Sequence, residues 1–184
     1  MTVGNDAAEA GVGSIPLDDG YRCIYTLCMS AAPRTSAAQR ARCLAIAAEC
    51  TGFGVRKASR ALGRLYDEAM APTGLRGTQF DLLVALSIAE EAPLLRVAEE
   101  LGLDRTTLTR NLAPLERDGL VESAPGPDRR MRLLRLTERG RETLNAALPH
   151  WERTQKRVVA ALGKKRWRAL MAGLEATARL PESW

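Results

Sequence analysis

The sequence predicts a mainly α fold with one small β-hairpin, and three observations carry that expectation. Ala, Leu, Arg and Glu dominate the 184 residues and aromatic side chains make up only 4%, a composition that favours helices. From about residue 37 onward, apolar residues recur at alternating steps of three and four, the spacing of a helix face. The pattern gives way to short β-like runs only in "VESAPGPDRRMRLLRLT", residues 121–137.

Length and composition set the frame. With 46% apolar and 27% charged residues, the chain suits one compact domain that buries a real core. Residues 1–36 are rich in Gly, Ala, Ser and Asp and hold no sustained period, so they read as a flexible N-terminal tail. Met29 opens "MSAAPRTSAAQR", which itself resembles a protein start, and the 28 residues before it read as a start-site extension. A peptide from residues 1–28 in the native protein would sink that idea.

Residues 37–184 form the domain proper, and its elements follow in order. A long helix is expected over 37–71, with Leu44, Ala48, Thr51, Val55, Ala58, Leu62, Leu65 and Ala69 on a heptad-like stripe suited to packing against other helices. Pro72 and Gly74 end it. Thr78 is expected to cap a second helix with Asp81 three residues on as a capping-box variant, and Phe80, Leu83, Val84 and Ala85 supply its apolar side. A third, short helix, "LLRVAEELG", stops at Gly102, a residue type that accepts a left-handed C-cap. Only Leu103 and Asp104 then precede a fourth helix, and Asp104 is a good N-cap for it, so the two make a helix–tight turn–helix pair.

A hairpin follows, with strands over Leu120–Ser123 and Arg132–Leu136 and a Pro/Gly/Asp tip with a basic flank. Thr137 and Glu138 open a long helical region striped by Leu144, Leu148, Trp151, Val158 and Leu162, with Pro149 an expected kink. Gly163 breaks it, and a last helix carries Trp167, Leu170, Met171 and Leu174 on one side. The predicted architecture is therefore a winged helix-turn-helix over 76–137, flanked by long helices at 37–71 and 138–180.

The stretch "DRTTLTRNLAPLERDGL", residues 104–120, bears most directly on function. Leu108, Leu112 and Leu115 share one stripe and should be buried; Thr106, Arg110, Ala113 and Arg117 lie roughly opposite. A helix with its side chains is about 10–12 Å across and a DNA major groove about 12 Å wide. Arginine forks onto guanine, threonine and asparagine reach base edges or phosphates, and the helix N-terminus offers N–H groups suited to phosphate. The plain alternative is an amphipathic helix whose polar face only meets water. The neighbours favour the first reading: a helix ending in a glycine turn precedes it, and a hairpin tip bearing Arg129, Arg130 and Arg132 follows. Between residues 123 and 141 there are six basic and two acidic side chains. The whole chain carries a formal charge of +5 and a pI near 9.3, consistent with a polyanionic partner.

Other classes fare worse. No run approaches the ~18 apolar residues of a membrane span, and the N-terminus lacks the basic start and apolar run of a secretory signal. The cytoplasm is the expected compartment. Cys23, Cys28, Cys43 and Cys50 form no CxxC pair and His150 is the one histidine, so no metal or cofactor is expected. A single histidine and no glycine-rich phosphate loop leave little for catalysis, and the chain reads as no enzyme. A winged helix used for protein contact would favour exposed apolar anchors over the arginine-bearing face seen here.

The run "GLRGTQFDLLVAL … LRVAEELGLDRTTLTRNLAPLERDGLVESAPGPDRRMRLLRLTERG" resembles the MarR family of regulators, over about residues 40–180. The family's wing, an Asp and Arg before a strand leading to "LT..G", is matched by Asp128, Arg130 and "LRLTERG". The resemblance implies a homodimer whose terminal helices intertwine, a transcriptional regulator (a repressor is expected) of double-stranded DNA, and an effector or redox signal that changes the spacing of two reading heads. It implies base reading by Thr106, Thr107 and Arg110, with Arg105 and Asn111 beside them, a wing-tip contact by Arg130 oriented by Asp128, and phosphate contacts by Arg129 and Arg132. Two switches remain open. One is a small organic, aromatic effector held between the dimer helices and the head. The other is oxidation of Cys43, which sits about where peroxide-sensing members carry a reactive thiol, although "RCLAIAAECTGFGVR" lacks their neighbouring tyrosines. Cys43 and Cys50, seven residues apart, would be ~10.5 Å apart on a helix, too far to bridge each other.

Overall fold

The computed structural model describes residues 35–128 and 131–180. Seven α-helices and a three-stranded antiparallel sheet occur among them: α1 (Ala37–Glu49), α2 (Thr51–Met70), α3 (Gly77–Ala89), β1 (Glu91–Pro93), α4 (Leu94–Glu100), α5 (Arg105–Arg117), β2 (Val121–Pro125), β3 (Arg132–Leu136), α6 (Glu138–Leu162) and α7 (Lys164–Ala178). The chain divides into two units at Gly54/Val55. No helix among the described residues is long and apolar enough to cross a membrane.

In the first unit, the Ser36 hydroxyl caps α1 by accepting from the Gln39 N–H at 3.2 Å, and α1 buries none of its residues. The stripe predicts one helix over 37–71, but Cys50 leaves the helical region (φ −70°, ψ 110°) and a second helix starts at Thr51. A β-branched threonine and the glycines at 52 and 54 hold a helix weakly at this point, so stripe continuity alone overstated its length.

The second unit is built around α3. Phe80, Leu82, Leu83 and Leu86 are all buried, so its apolar surface is wider than the single side that its sequence suggests. Its N-cap is Arg76, two residues before the expected Thr78: the Asp67 carboxylate, from α2, accepts the Gly77 N–H at 2.7 Å, and the Gln79 side chain accepts the Arg76 N–H at 2.9 Å. Around it pack Leu94, Val97 and Ala98 of α4, Leu108, Leu112 and Leu115 of α5, Val121, Leu134 and Leu136 of the sheet, and Leu144 and Ala147 of α6. Burial of the three α5 leucines removes ~1.5–3 kcal/mol worth of apolar surface each from water.

The sheet order is β1-β3-β2. β2 pairs with β3 from Val121↔Leu136 to Pro125↔Arg132, and β1 adds Glu91↔Arg135 through Pro93↔Leu133. β1 is invisible to periodicity because three residues ending in proline show no alternation. α6 runs unbroken through Pro149, which lies inside it. The Tyr66 hydroxyl donates to Gln155 Oε1 and so ties α2 to α6. Burial, and then the charge of Asp81, hold the Tyr66 pKa above its ordinary value.

Candidate nucleic-acid interface

Two glycine turns set the angle of α5. Gly102 (φ 61°) and Gly119 (φ 68°) adopt the left-handed conformation that a Cβ disfavours. Each closes a helix in the same way: the Leu103 N–H donates to the Ala98 carbonyl and the Leu120 N–H to the Leu115 carbonyl, both at 2.8 Å, the six-to-one bond of a Schellman cap. The helix–turn–helix pair of the sequence is thus α4 and α5, with Leu103 and Asp104 between them.

Asp104 caps α5 with both oxygens. Oδ1 accepts the Thr107 N–H at 2.9 Å and Oδ2 accepts the Thr107 hydroxyl at 2.6 Å. Thr107 is half-buried, and its only hydroxyl proton is committed to the cap. One N–H of the first turn is likewise occupied and a carboxylate sits there, so this helix end is less open to phosphate than the bare helix suggests. The Thr107 hydroxyl, and after it the Thr107 N–H, hold the Asp104 carboxyl below its ordinary 3.8. A depressed folded pKa contributes stability that is complete above the unfolded value and is lost as pH falls through the folded one. Asp104→Asn keeps a capping oxygen and does not titrate. Its melting temperature should therefore fall less steeply than the native protein's between about pH 5 and pH 2; parallel acid limbs would remove the Asp104 charge as a contributor.

Along the outer face of α5, Arg105, Thr106, Thr109, Arg110, Ala113 and Arg117 are exposed and Asn111 is half-buried. No hydrogen bond or ion pair among the described residues occupies the side chains of Arg105, Thr106 or Arg110. The Thr109 hydroxyl donates to the Arg105 carbonyl at 2.8 Å, and Arg117 pairs with the adjacent Asp118. Thr109 shares the Arg105 side of the helix, a position that four-residue spacing could have revealed. An open cleft of about 480 Å³ lies between α4, α5 and the tip end of β3, with Leu94, Leu95, Arg96, Glu99, Arg105, Thr109 and Arg132 on its walls.

The two wing arginines among the described residues are both paired with carboxylates. Arg129 and Arg130 lie outside the described residues. Arg132 reaches back to the last turn of α5, where its Nη2 lies 2.6 Å from Glu116 Oε2 in a two-oxygen contact, and Arg135 pairs with Glu122 on the neighbouring strand. Arg132, which the resemblance places at a phosphate, here fastens the wing to α5. At the tip, the Met131 N–H donates to the Asp128 carbonyl and the Gly126 N–H to the Met131 carbonyl. Over residues 76–137 there are nine basic and ten acidic residues, so the surplus read from 123–141 is offset by acids elsewhere on the head.

The head is also locked to α6. The Thr137 hydroxyl donates to the Gly119 carbonyl at 2.7 Å and accepts the Gly140 N–H at 3.0 Å, and the Thr137 N–H donates to the Leu120 carbonyl. A Cβ on Gly140 would lie 2.0 Å from the Leu120 carbonyl oxygen. One threonine and one glycine thus join the end of α5, the start of β2 and the first turn of α6.

A tight helix pair, an outward second helix and an antiparallel hairpin against it define a winged helix-turn-helix protein. The model of the MarR family matches residues 73–131, which span α3 to the wing. The chain is similar to an uncharacterized HTH-type transcriptional regulator, YdgJ, of Bacillus subtilis (strain 168), with 31% identity over 102 residues, 55% of this chain and 62% of the relative; the match thus spans about three fifths of that relative's length. Among solved structures it resembles the M. tuberculosis transcriptional regulator MosR in complex with DNA, at 38% identity and TM-score 0.61, covering 72% of this chain and all of the other. It also resembles the transcriptional repressor CouR bound to a 23-mer DNA duplex, at 29% identity and TM-score 0.66, covering 73% of this chain and 96% of the other. The chain belongs to the MarR family of transcriptional regulators.

Proposed function

We propose that this chain is a sequence-specific regulator of transcription, a repressor that acts as a homodimer on a pseudo-palindromic operator in double-stranded DNA and is released by a small organic ligand. The observation that carries this reading is the face of α5: Arg105, Thr106 and Arg110 are exposed and unoccupied on a helix whose two ends are fixed. Arg110 and Thr106 read base edges in the major groove; Arg105, with Arg129 and Arg130 of the wing, contacts backbone or minor groove. The DNA in the MosR and CouR structures supports this reading.

The homodimer rests on apolar surface. Leu148, Trp151, Leu170, Met171 and Leu174 of α6 and α7 remain well exposed, more large apolar side chains in two adjacent helices than a monomer usually leaves in water. A twofold dimer requires half-sites about one turn, roughly 10 bp, apart. Selection from a randomised duplex pool followed by footprinting should return an inverted repeat at that spacing. A direct repeat, or no enrichment, would overturn the dimeric reading head.

For release, the cleft beside α5 offers a planar acid the apolar side chains of Pro93, Leu94, Leu95 and Met131 and the guanidinium of Arg105, the Glu99 carboxylate on its wall being paired with Arg96. The alternative switch, oxidation of Cys43, is favoured by one observation: Cys43 and Cys50 are free and exposed. Hydrogen peroxide that abolishes operator binding in the native protein but not in Cys43→Ser would choose the thiol over the ligand.

A further inference from the structure

The positive charge of this protein does not sit on its reading head. The chain carries +5 in all. Residues 153–174 alone hold seven cations (Arg153, Lys156, Arg157, Lys164, Lys165, Arg166 and Arg168) and no acid, which leaves the remainder at −2. The two regions also differ in pairing. On the head, Arg96, Arg117, Arg132 and Arg135 each have a carboxylate partner, and Arg105 and Arg110 on α5 have none among the described residues. All seven cations around the α6–α7 corner are exposed, and no carboxylate among the described residues pairs with any of them.

Their placement follows from helix periodicity. At ~100° per residue, Arg153, Lys156 and Arg157 lie roughly half a turn from the Leu144–Leu148–Trp151–Val158–Leu162 stripe. On α7, Lys165 and Arg168 fall away from Trp167, Leu170 and Leu174, while Lys164 and Arg166 flank that apolar side. Whatever covers the apolar stripes, Arg153, Lys156, Arg157, Lys165 and Arg168 stay on the outer side. Distance separates them from the head: Arg153 lies ~20 Å and Gly163 ~35 Å along α6 from the Gly140 contact, against a screening length of ~8–10 Å at moderate salt. A duplex on α5 is therefore beyond their electrostatic reach.

We propose that the α6–α7 ridge is a second, sequence-independent binding surface for double-stranded DNA, so that the protein holds one duplex by its heads and a second segment by this ridge. Unpaired lysines and arginines with no base-reading partner suit phosphate contact, which is indifferent to sequence. DNA is the polyanion held close by, because the first surface keeps it there at high local concentration. The inference rests on the head binding DNA as proposed above.

The test compares the full-length native protein with the variant Arg153→Gln, Lys156→Gln, Lys165→Gln, Arg168→Gln, whose glutamines preserve helix propensity. Protein is loaded on an immobilised duplex bearing the selected operator, and a labelled duplex of random sequence is then added. The native protein should retain the second duplex; the variant should retain it about tenfold less well, with a shallower salt slope, while its affinity for the operator changes by less than about twofold. Equal retention by both proteins overturns the ridge, as does a native protein that holds the operator and captures nothing. Capture of poly-glutamate or anionic vesicles in place of the second duplex overturns DNA as its occupant. If the native protein fails to hold the first duplex, the head reading falls instead. The ridge is then decided by direct titration of free protein with random duplex, where equal affinity for native and variant overturns it.

Discussion

Gly140→Ala should be among the most destabilising single-methyl changes in this protein. The added Cβ would sit 2.0 Å from the Leu120 carbonyl oxygen, with the Leu120 carbonyl carbon 3.0 Å away. The obstacle is backbone, so no side-chain rotation relieves it. Either α6 moves off β2 or the turn after α5 opens, and both disturb the Thr137 hydroxyl, which bridges the Gly119 carbonyl and the Gly140 N–H. Overpacking of this kind costs about 3 kcal/mol, which corresponds to a melting temperature lower by roughly 10 °C. Gly173→Ala is the matched control, because a Cβ there meets nothing within 4 Å and alanine gains helix propensity. If Gly140→Ala melts with the native protein, α6 and the head are not in the close contact that fixes the geometry of α5.

Arg110→Ala should produce the largest loss of function without loss of fold. Arg110 is exposed on α5, and removing an exposed side chain there leaves the Leu108–Leu112–Leu115 core untouched. If its guanidinium reads a base, affinity for the operator falls by about 1–3 kcal/mol, roughly 5- to 150-fold, and discrimination relaxes at one symmetric position. Arg132→Ala makes a useful contrast. Its partner is Glu116, so it should lose wing placement and affinity together, with no relaxation confined to one base pair. A half-exposed pair of this kind contributes ~0–1 kcal/mol to stability, so the variant should still fold. Equal relaxation by both substitutions would contradict the assignment of base reading to Arg110.

The head was largely legible in the sequence because its determinants are local. Asp104 at the N-cap, Gly102 in the turn and three leucines at helical spacing each act within one helical turn, and each stands where the pattern places it. What escaped is non-local or too short. β1 has three residues, too few for an alternation to register. The break at Cys50 is one changed ψ angle within an otherwise continuous apolar stripe. Arg132 meets Glu116 sixteen positions away, and nothing in the basic run of the wing marks which arginine turns back. Thr107 reads equally well as base contact or cap until the carboxylate beside it is located. The ridge at 153–174 is plain in the sequence as a charge count, but its meaning depends on which cations elsewhere are already paired.

The most direct test of the central claim, that α5 and the wing read DNA, is a salt titration of affinity for the selected inverted repeat against a scrambled duplex of equal length. The expected result is tight binding that depends on the repeat, with log affinity falling linearly and steeply with log salt and a preference over the scrambled duplex of about 10³-fold or more. Weak binding of equal strength and slope on both duplexes would contradict it, and would leave the exposed face of α5 without a sequence to read.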